Sequence, residues 1–135
     1  MNFDRLIEIS RVLKGKNQTG KSFHTTFILR KRKILSIGIN NYNSTHPRTK
    51  DYPSRYDGGG YVAGVHSEIS SLIKLGYIED YSDLVLVNLR VGNDGLIRNS
   101  APCLGCSQVL RGINFKRIYY TNELGLWVSK KNLTV

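Results

Sequence analysis

The only two cysteines of this chain stand three positions apart in Pro102-Cys103-Leu104-Gly105-Cys106, and a His-x-Glu triplet, His66-Ser67-Glu68, precedes them. A cysteine pair this close is better suited to gripping one metal ion than to closing a stabilising disulfide loop. Each motif opens a predicted helix. Val65 to Leu75 carries Ile69, Leu72, Ile73 and Leu75 at helical spacing, with Gly76 placed to stop it, and Cys103 to Gly112 carries Leu104, Val109 and Leu110. A fold for this chain therefore has to bring two helix N-termini to one point if imidazole and thiols are to share an ion.

The rest of the chain reads around those two helices. Phe3 to Lys14 has the spacing of a first amphipathic helix, ended by Gly15 and Gly20. Ser22 to Arg30 and Lys33 to Ile39 are β-rich runs joined by Lys31-Arg32, which predicts a hairpin. Asn40 to Gly60 has no apolar period and reads as a long functional loop. Asp83 to Arg90 is a buried strand followed by the turn Asn93-Asp94-Gly95. Arg117 to Thr121 and Gly125 to Ser129 form a closing antiparallel hairpin around Asn122-Glu123-Leu124. The order α β β α β α β β places the chain in the α/β class. At 135 residues and 40% hydrophobic it suits a single domain, 1–135, with one core. No run approaches the roughly 18 apolar residues of a membrane helix, and MNFDRLIEIS carries acids where a signal peptide is basic and then apolar. The expectation is a soluble cytoplasmic protein with no membrane association.

His66, Cys103 and Cys106 are candidate zinc ligands. Three protein ligands leave the fourth tetrahedral position to water, as a catalytic zinc requires, and no fourth ligand for a closed structural site is evident. Two thiolates neutralise the divalent charge, and a helix N-terminus helps keep the sulfurs deprotonated. Glu68, two residues past His66, is the candidate catalytic residue: a carboxylate that takes a proton from water and returns it to the reacting group. Taken singly, the cysteines read equally as a redox couple or half a structural zinc site, His66 as a helix-end histidine, and Glu68 as a helix N-terminal acid. The combination is what favours the catalytic reading.

Twenty Lys+Arg against ten Asp+Glu give +10, which favours phosphate-bearing partners without separating a nucleotide from a nucleic acid; a basic, solvated surface is the bland alternative. In the long loop, Tyr52, Tyr56 and Tyr61 with Arg48, Lys50 and Arg55 suit base stacking and phosphate contact, or packing of an ordered loop on its own domain. His24 falls in a strand and is expected to be packed or hydrogen-bonded; His46 precedes Pro47 in the loop, where a plain loop role is preferred to phosphate or metal contact.

These motifs, with Ser36-Ile37-Gly38-Ile39-Asn40, Thr45-His46-Pro47 and Tyr119-Tyr120-Thr121, resemble the cytidine and deoxycytidylate deaminase superfamily, in particular its small phage-type members. The resemblance implies a three-layer α/β/α cytidine deaminase-like fold, with a mixed five-stranded sheet and helices presenting metal ligands at their N-termini. It implies zinc as cofactor, a cytosine nucleoside or nucleotide as substrate with deoxycytidylate first, and a homo-oligomer. It lends Asn40 a contact to the substrate's sugar or base, against a turn role. It also makes the segment Ser100, Ala101 and Pro102 a candidate cradle for the exocyclic amine. Ser67, where many relatives have alanine, and Ala101, where several have a polar residue, depart from the pattern. The terminal hairpin leaves no room for a helix between the last two strands, which tilts the reading toward small substrates, with a base in single-stranded DNA or RNA as the alternative.

Overall fold

The computed structural model describes residues 1–16, 23–40, 56–57, 60–61 and 66–131. In chain order the elements are α1 (Phe3–Lys16), β1 (Phe23–Arg30), β2 (Lys33–Ile39), β3 (Tyr56–Asp57), β4 (Gly60–Tyr61), α2 (Ser67–Leu75), β5 (Leu84–Val91), α3 (Leu104–Arg111), β6 (Arg117–Thr121) and β7 (Trp127–Lys130). Helix α1 is started by Asn2, whose Oδ1 accepts from Arg5 N at 3.3 Å, and has Asp4 in its first turn and Lys14 and Lys16 in its last. Both placements favour the helix dipole. Strands β1 and β5 are buried over nearly their whole length, as expected of central strands covered on both faces.

The main sheet has the order β2-β1-β5-β6-β7. Only β5 and β6 run parallel; β1 pairs antiparallel with β2 and β5, and β6 with β7. A parallel pair needs a crossover, and α3 supplies it. Alternation along the strands divides the core in two. Phe27, Leu29, Val85, Val87 and Leu89 pack with Leu6 of α1 on one face. Ile28, Leu84, Leu86 and Ile118 pack with Ile69 and Leu72 of α2 and Cys106 and Leu110 of α3 on the other. The result is a mixed five-stranded sheet between helical layers, ending in the antiparallel hairpin expected from sequence.

Gly38 fixes how α2 sits on the sheet. A Cβ at this position would collide with Ser67 O and Ser71 N and lie 2.8 Å from Ser71 Cα, all backbone of α2. Ser36 on the same strand donates from Oγ to Ser71 O at 2.6 Å. The helix thus lies almost directly on β2, and its first turn, which carries the candidate chemistry, has little freedom to shift.

Predicted and observed elements differ mainly at their ends. β7 begins at Trp127 rather than Gly125 because Gly125, at φ 75°, belongs to a turn in which Asn122 N donates to Leu126 O at 2.9 Å. Cys103 and Gly112 cap α3 instead of lying within it. Part of the segment read as loop is a short antiparallel ladder, with Tyr56 opposite Tyr61 and Asp57 opposite Gly60. Residues 41–55, including His46, Arg48, Lys50, Tyr52 and Arg55, lie outside the described residues.

Candidate metal centre

His66 and Cys103 are equivalent in their helices. Each is the N-cap residue, in extended backbone (φ −71°, ψ 153° and φ −65°, ψ 169°), so each side chain stands at the mouth of a helix. Cys106 follows one turn into α3 and is fully buried. His66 Nδ1 lies 3.3 Å from Cys106 Sγ and 3.4 Å from Cys103 Sγ, and the three donor atoms all fall within 4.8 Å of one another.

One ring nitrogen carries at most one proton and cannot serve two sulfurs as a donor, whereas one ion can serve all three groups. With Zn–N near 2.1 Å and Zn–S near 2.3 Å, tetrahedral geometry puts nitrogen and sulfur ligands about 3.5 Å apart. The observed separations match that value, and one imidazole with two thiols is a donor set that suits zinc.

The electrostatics support metal capture. Cys103 is held down to about 4, first by its hydrogen bond with Cys106 and then by His66 and the Cys106 backbone amide, against burial acting the other way. It is a thiolate at neutral pH. Glu68, 6% exposed, is pushed above the ordinary carboxylate range by burial, offset in part by hydrogen bonding to backbone and Ser67 and by the nearby His66. Desolvation thus disfavours its charge and raises its affinity for a proton, which suits a group that has to accept one. His24 faces the same region from β1 and is lowered to about 4 by burial and then by Arg90, its cross-strand neighbour, and His66. It is a neutral histidine at physiological pH, in keeping with the packed role expected for it.

Behind Glu68 runs a chain of buried polar groups. Ser67 donates from Oγ to Glu68 Oε1 at 3.0 Å; Thr26 Oγ1 lies 2.8 Å from Ser67 Oγ and 2.7 Å from Asn88 Oδ1. Asn88 Nδ2 donates to Ser100 O at 3.3 Å, and Ser100 Oγ meets Thr121 Oγ1 at 2.7 Å. The chain links α2 through β1 and β5 to the segment before Cys103. Sequence reasoning missed Thr26 and Asn88, and named Thr121 only within the supporting Tyr119-Tyr120-Thr121 element; the available signal was a polar residue inside an apolar run, Asn88 in Leu84–Val91 most clearly.

The candidate substrate residues are placed as follows. Asn40 closes the end of the β1–β2 pair: its Oδ1 accepts from His24 N at 3.0 Å and its N donates to His24 O at 3.3 Å. Ser100 is 3% exposed, and its backbone N donates to Thr121 O at 2.9 Å. Ala101 is exposed, its N donating to Asn99 Oδ1 at 2.8 Å, and Pro102 is half-buried with its carbonyl accepting from Ser107 Oγ at 3.4 Å. Both lie just before the candidate ligand Cys103.

No protein-family profile and no curated protein sequence matches this chain. Among solved structures it resembles a cytidine deaminase from Burkholderia pseudomallei, with a TM-score of 0.58 at 17% identity, over 97% of this chain and 93% of that one. The two share a fold.

Proposed function

We propose that this chain is a zinc-dependent hydrolytic deaminase of cytosine nucleosides or nucleotides, with deoxycytidylate as first choice, releasing ammonia and the uracil product. One observation carries the reading: His66 Nδ1 stands almost equidistant from two cysteine sulfurs, with the buried carboxyl of Glu68 two residues away. The shared fold with a cytidine deaminase supports it. So does the resemblance of the two motifs to those of the small phage-type deaminases.

His66, Cys103 and Cys106 would hold the zinc, which when bound supplies Lewis-acid activation of water. Glu68 removes a proton from the attacking water and passes it to the ring nitrogen beside the attacked carbon. It then transfers a proton to the departing amine. One C–O bond forms, one C–N bond breaks, and water and cytosine become uracil and ammonia with no redox change. Ser67, by holding Oε1, leaves Oε2 as the freer oxygen of the carboxyl for this traffic. Asn40, hydrogen-bonded to His24, and the Ser100–Pro102 segment, which runs into Cys103, would hold the sugar and the exocyclic amine. The protein would act in the cytoplasm as a homo-oligomer; among the described residues no helix is long and apolar enough to cross a membrane.

The +10 charge favours a second reading, deamination of a base in single-stranded DNA or RNA. Ammonia release from cytidine, deoxycytidine, their monophosphates and a cytosine-rich oligonucleotide, by zinc-loaded protein and its Glu68→Gln variant, decides between them. Turnover of a monophosphate lost in Glu68→Gln is the expected result. Turnover of the oligonucleotide alone moves the assignment to polynucleotides, and stoichiometric zinc without turnover of any of these substrates would falsify the cytosine reading.

A further inference from the structure

Leucine and valine fill the central strand β5 from Leu84 to Leu89 except at Asn88, which is 3% exposed. An amide buried there costs free energy unless both of its ends find partners. Ser100 O can only accept, so the Asn88 amide presents Nδ2 to it, at 3.3 Å, and Oδ1 to the Thr26 hydroxyl, at 2.7 Å. One planar group is thereby fixed at both ends. Beyond Thr26 the chain of bonds reaches Ser67 Oγ at 2.8 Å and then Glu68 Oε1 at 3.0 Å. At the other end Ser100 is locked onto β6, its N donating to Thr121 O at 2.9 Å and its Oγ accepting from Thr121 N at 2.8 Å.

We propose, resting on the deaminase reading above, that Asn88 is a positioning residue of the reaction: its amide sets Glu68 in register with the Ser100–Pro102 segment that would hold the departing amine. In the closing step the C–N bond breaks with its electron pair on nitrogen and Glu68 gives that nitrogen a proton. The former water oxygen returns a proton to Glu68 as it becomes the carbonyl. The step needs carboxyl and amine at a fixed separation, and a misplacement of about 1 Å in such a pair can cost about a hundredfold in rate. Glu68 comes from α2 and the Ser100–Pro102 segment from the approach to α3. Asn88 stands on the strand between them and bonds toward both, so a shift of either is passed to the other. Buried polar pairs that only hold a fold can be replaced by apolar groups of the same shape with little loss. This chain of bonds ends instead on the reacting carboxyl and on the candidate amine cradle.

The test uses the zinc-loaded full chain and its Asn88→Leu and Thr26→Val variants, each of which removes one link and roughly keeps side-chain volume. Thr25→Val is the control: Thr25 is buried on the other face of β1, and its Oγ1 has no hydrogen-bond partner among the described residues. The first readout is the carboxyl-carbon NMR resonance of Glu68, in protein isotopically labelled at its four glutamates, Glu8, Glu68, Glu79 and Glu123. Its absence from Glu68→Gln assigns it. A shift beyond the linewidth is expected in both link variants and none in the control. The second readout is turnover of the best cytosine substrate and of its analogue with chlorine in place of the exocyclic amine, because chloride leaves with its electron pair and needs no proton from Glu68. In both link variants kcat for the amine should fall about tenfold or more with KM changed less than about twofold, and kcat for the chloride should fall less than about threefold. Equal loss on the two substrates, as a general loosening of the core would give, overturns the proposal. So does a Glu68 resonance unmoved in both link variants, or moved as far by Thr25→Val. Thr26→Val decides alone if Asn88→Leu does not fold. A parent protein that turns over neither substrate removes the deaminase reading and this proposal with it, whereas turnover with equal losses removes the proposal only.

Discussion

Ser67 Oγ lies between Glu68 Oε1, at 3.0 Å, and Thr26 Oγ1, at 2.8 Å, so the candidate catalytic carboxyl is tethered through one hydroxyl to the centre of the sheet. Ser67→Ala removes the tether and leaves its buried neighbours one partner short, a loss of about 1.5–3 kcal/mol where a charged group is involved. If the loss falls on the reacting carboxyl, kcat for the best substrate should drop by roughly ten- to a hundredfold with KM changed less than about twofold. A fall in KM-dependent binding alone, with kcat intact, would show that the tether does not orient Glu68.

Gly38→Ala tests the contact between β2 and α2. The new methyl meets helix backbone on three sides and has no flexible side chain to displace, so α2 must move. Overpacking of this kind costs about 1–3 kcal/mol, read as a fall of roughly 4–12 °C in melting temperature. Because the displaced turn adjoins His66, zinc affinity should fall with stability; an unchanged zinc affinity would mean that the first turn adapts independently of the ligand.

Cys103, held at about 4, is already a thiolate across neutral pH, with hydrogen bonding to Cys106 as the main cause. In the metal-free protein its alkylation by iodoacetamide should therefore be nearly independent of pH from about 6 to 8, where an ordinary thiol with pKa near 8.5 would speed up close to tenfold per unit. Zinc should block the reaction. A rate rising steeply through that range, followed by mass mapping to Cys103, would contradict the assignment.

His24 makes the opposite kind of pH prediction. Its folded value near 4, lowered chiefly by burial, lies below the ordinary 6.5, so between these values the unfolded chain binds a proton that the folded chain refuses. Its contribution to stability is fully present above 6.5 and is lost as pH falls toward 4, with a slope of at most about 1.4 kcal/mol per pH unit. Urea unfolding at pH 7.5, 6 and 5 should show a shallower acid loss for His24→Gln than for the parent protein. Parallel slopes would place the acid sensitivity elsewhere.

Glu68→Gln and Cys106→Ala should separate chemistry from architecture. Glu68→Gln is expected to keep zinc at one ion per chain and the parent melting temperature within a few degrees while losing turnover. Cys106 is fully buried in the α2–α3 core, so Cys106→Ala should lose both metal and stability. Zinc content by emission spectrometry and thermal melts report the two effects.

Much of this was legible in the sequence because its signals are local. Period and composition marked the helices and strands, and the spacing of Cys103 and Cys106 marked the candidate ligand pair. The convergence of His66 with both sulfurs rested on two helix starts and a specific motif order, and the geometry agrees. What escaped depends on neighbours remote in sequence. Thr26 and Asn88 look like ordinary strand residues until β1 and β5 lie side by side, 62 positions apart in the chain. Gly38 reads as a weak strand residue until α2 is laid on it. Arg5, Lys31, Arg32, Lys116 and Arg117 line one groove from three separate parts of the chain, and no window along the sequence contains them.

The place of β5 in the sheet orders events in time. It lies between β1, far upstream, and β6, which follows α3, so its pairings are non-local and slow to form relative to helices and turns. His66 and the two cysteines arrive from opposite sides of that strand, one before it in the chain and two after. Until β5 is seated, an ion would find only the short Cys103–Cys106 grip. If the three residues hold zinc as proposed, tight capture would be a late event that reports completion of the sheet, and an early-quenched folding reaction would contain chains rich in helix and poor in zinc.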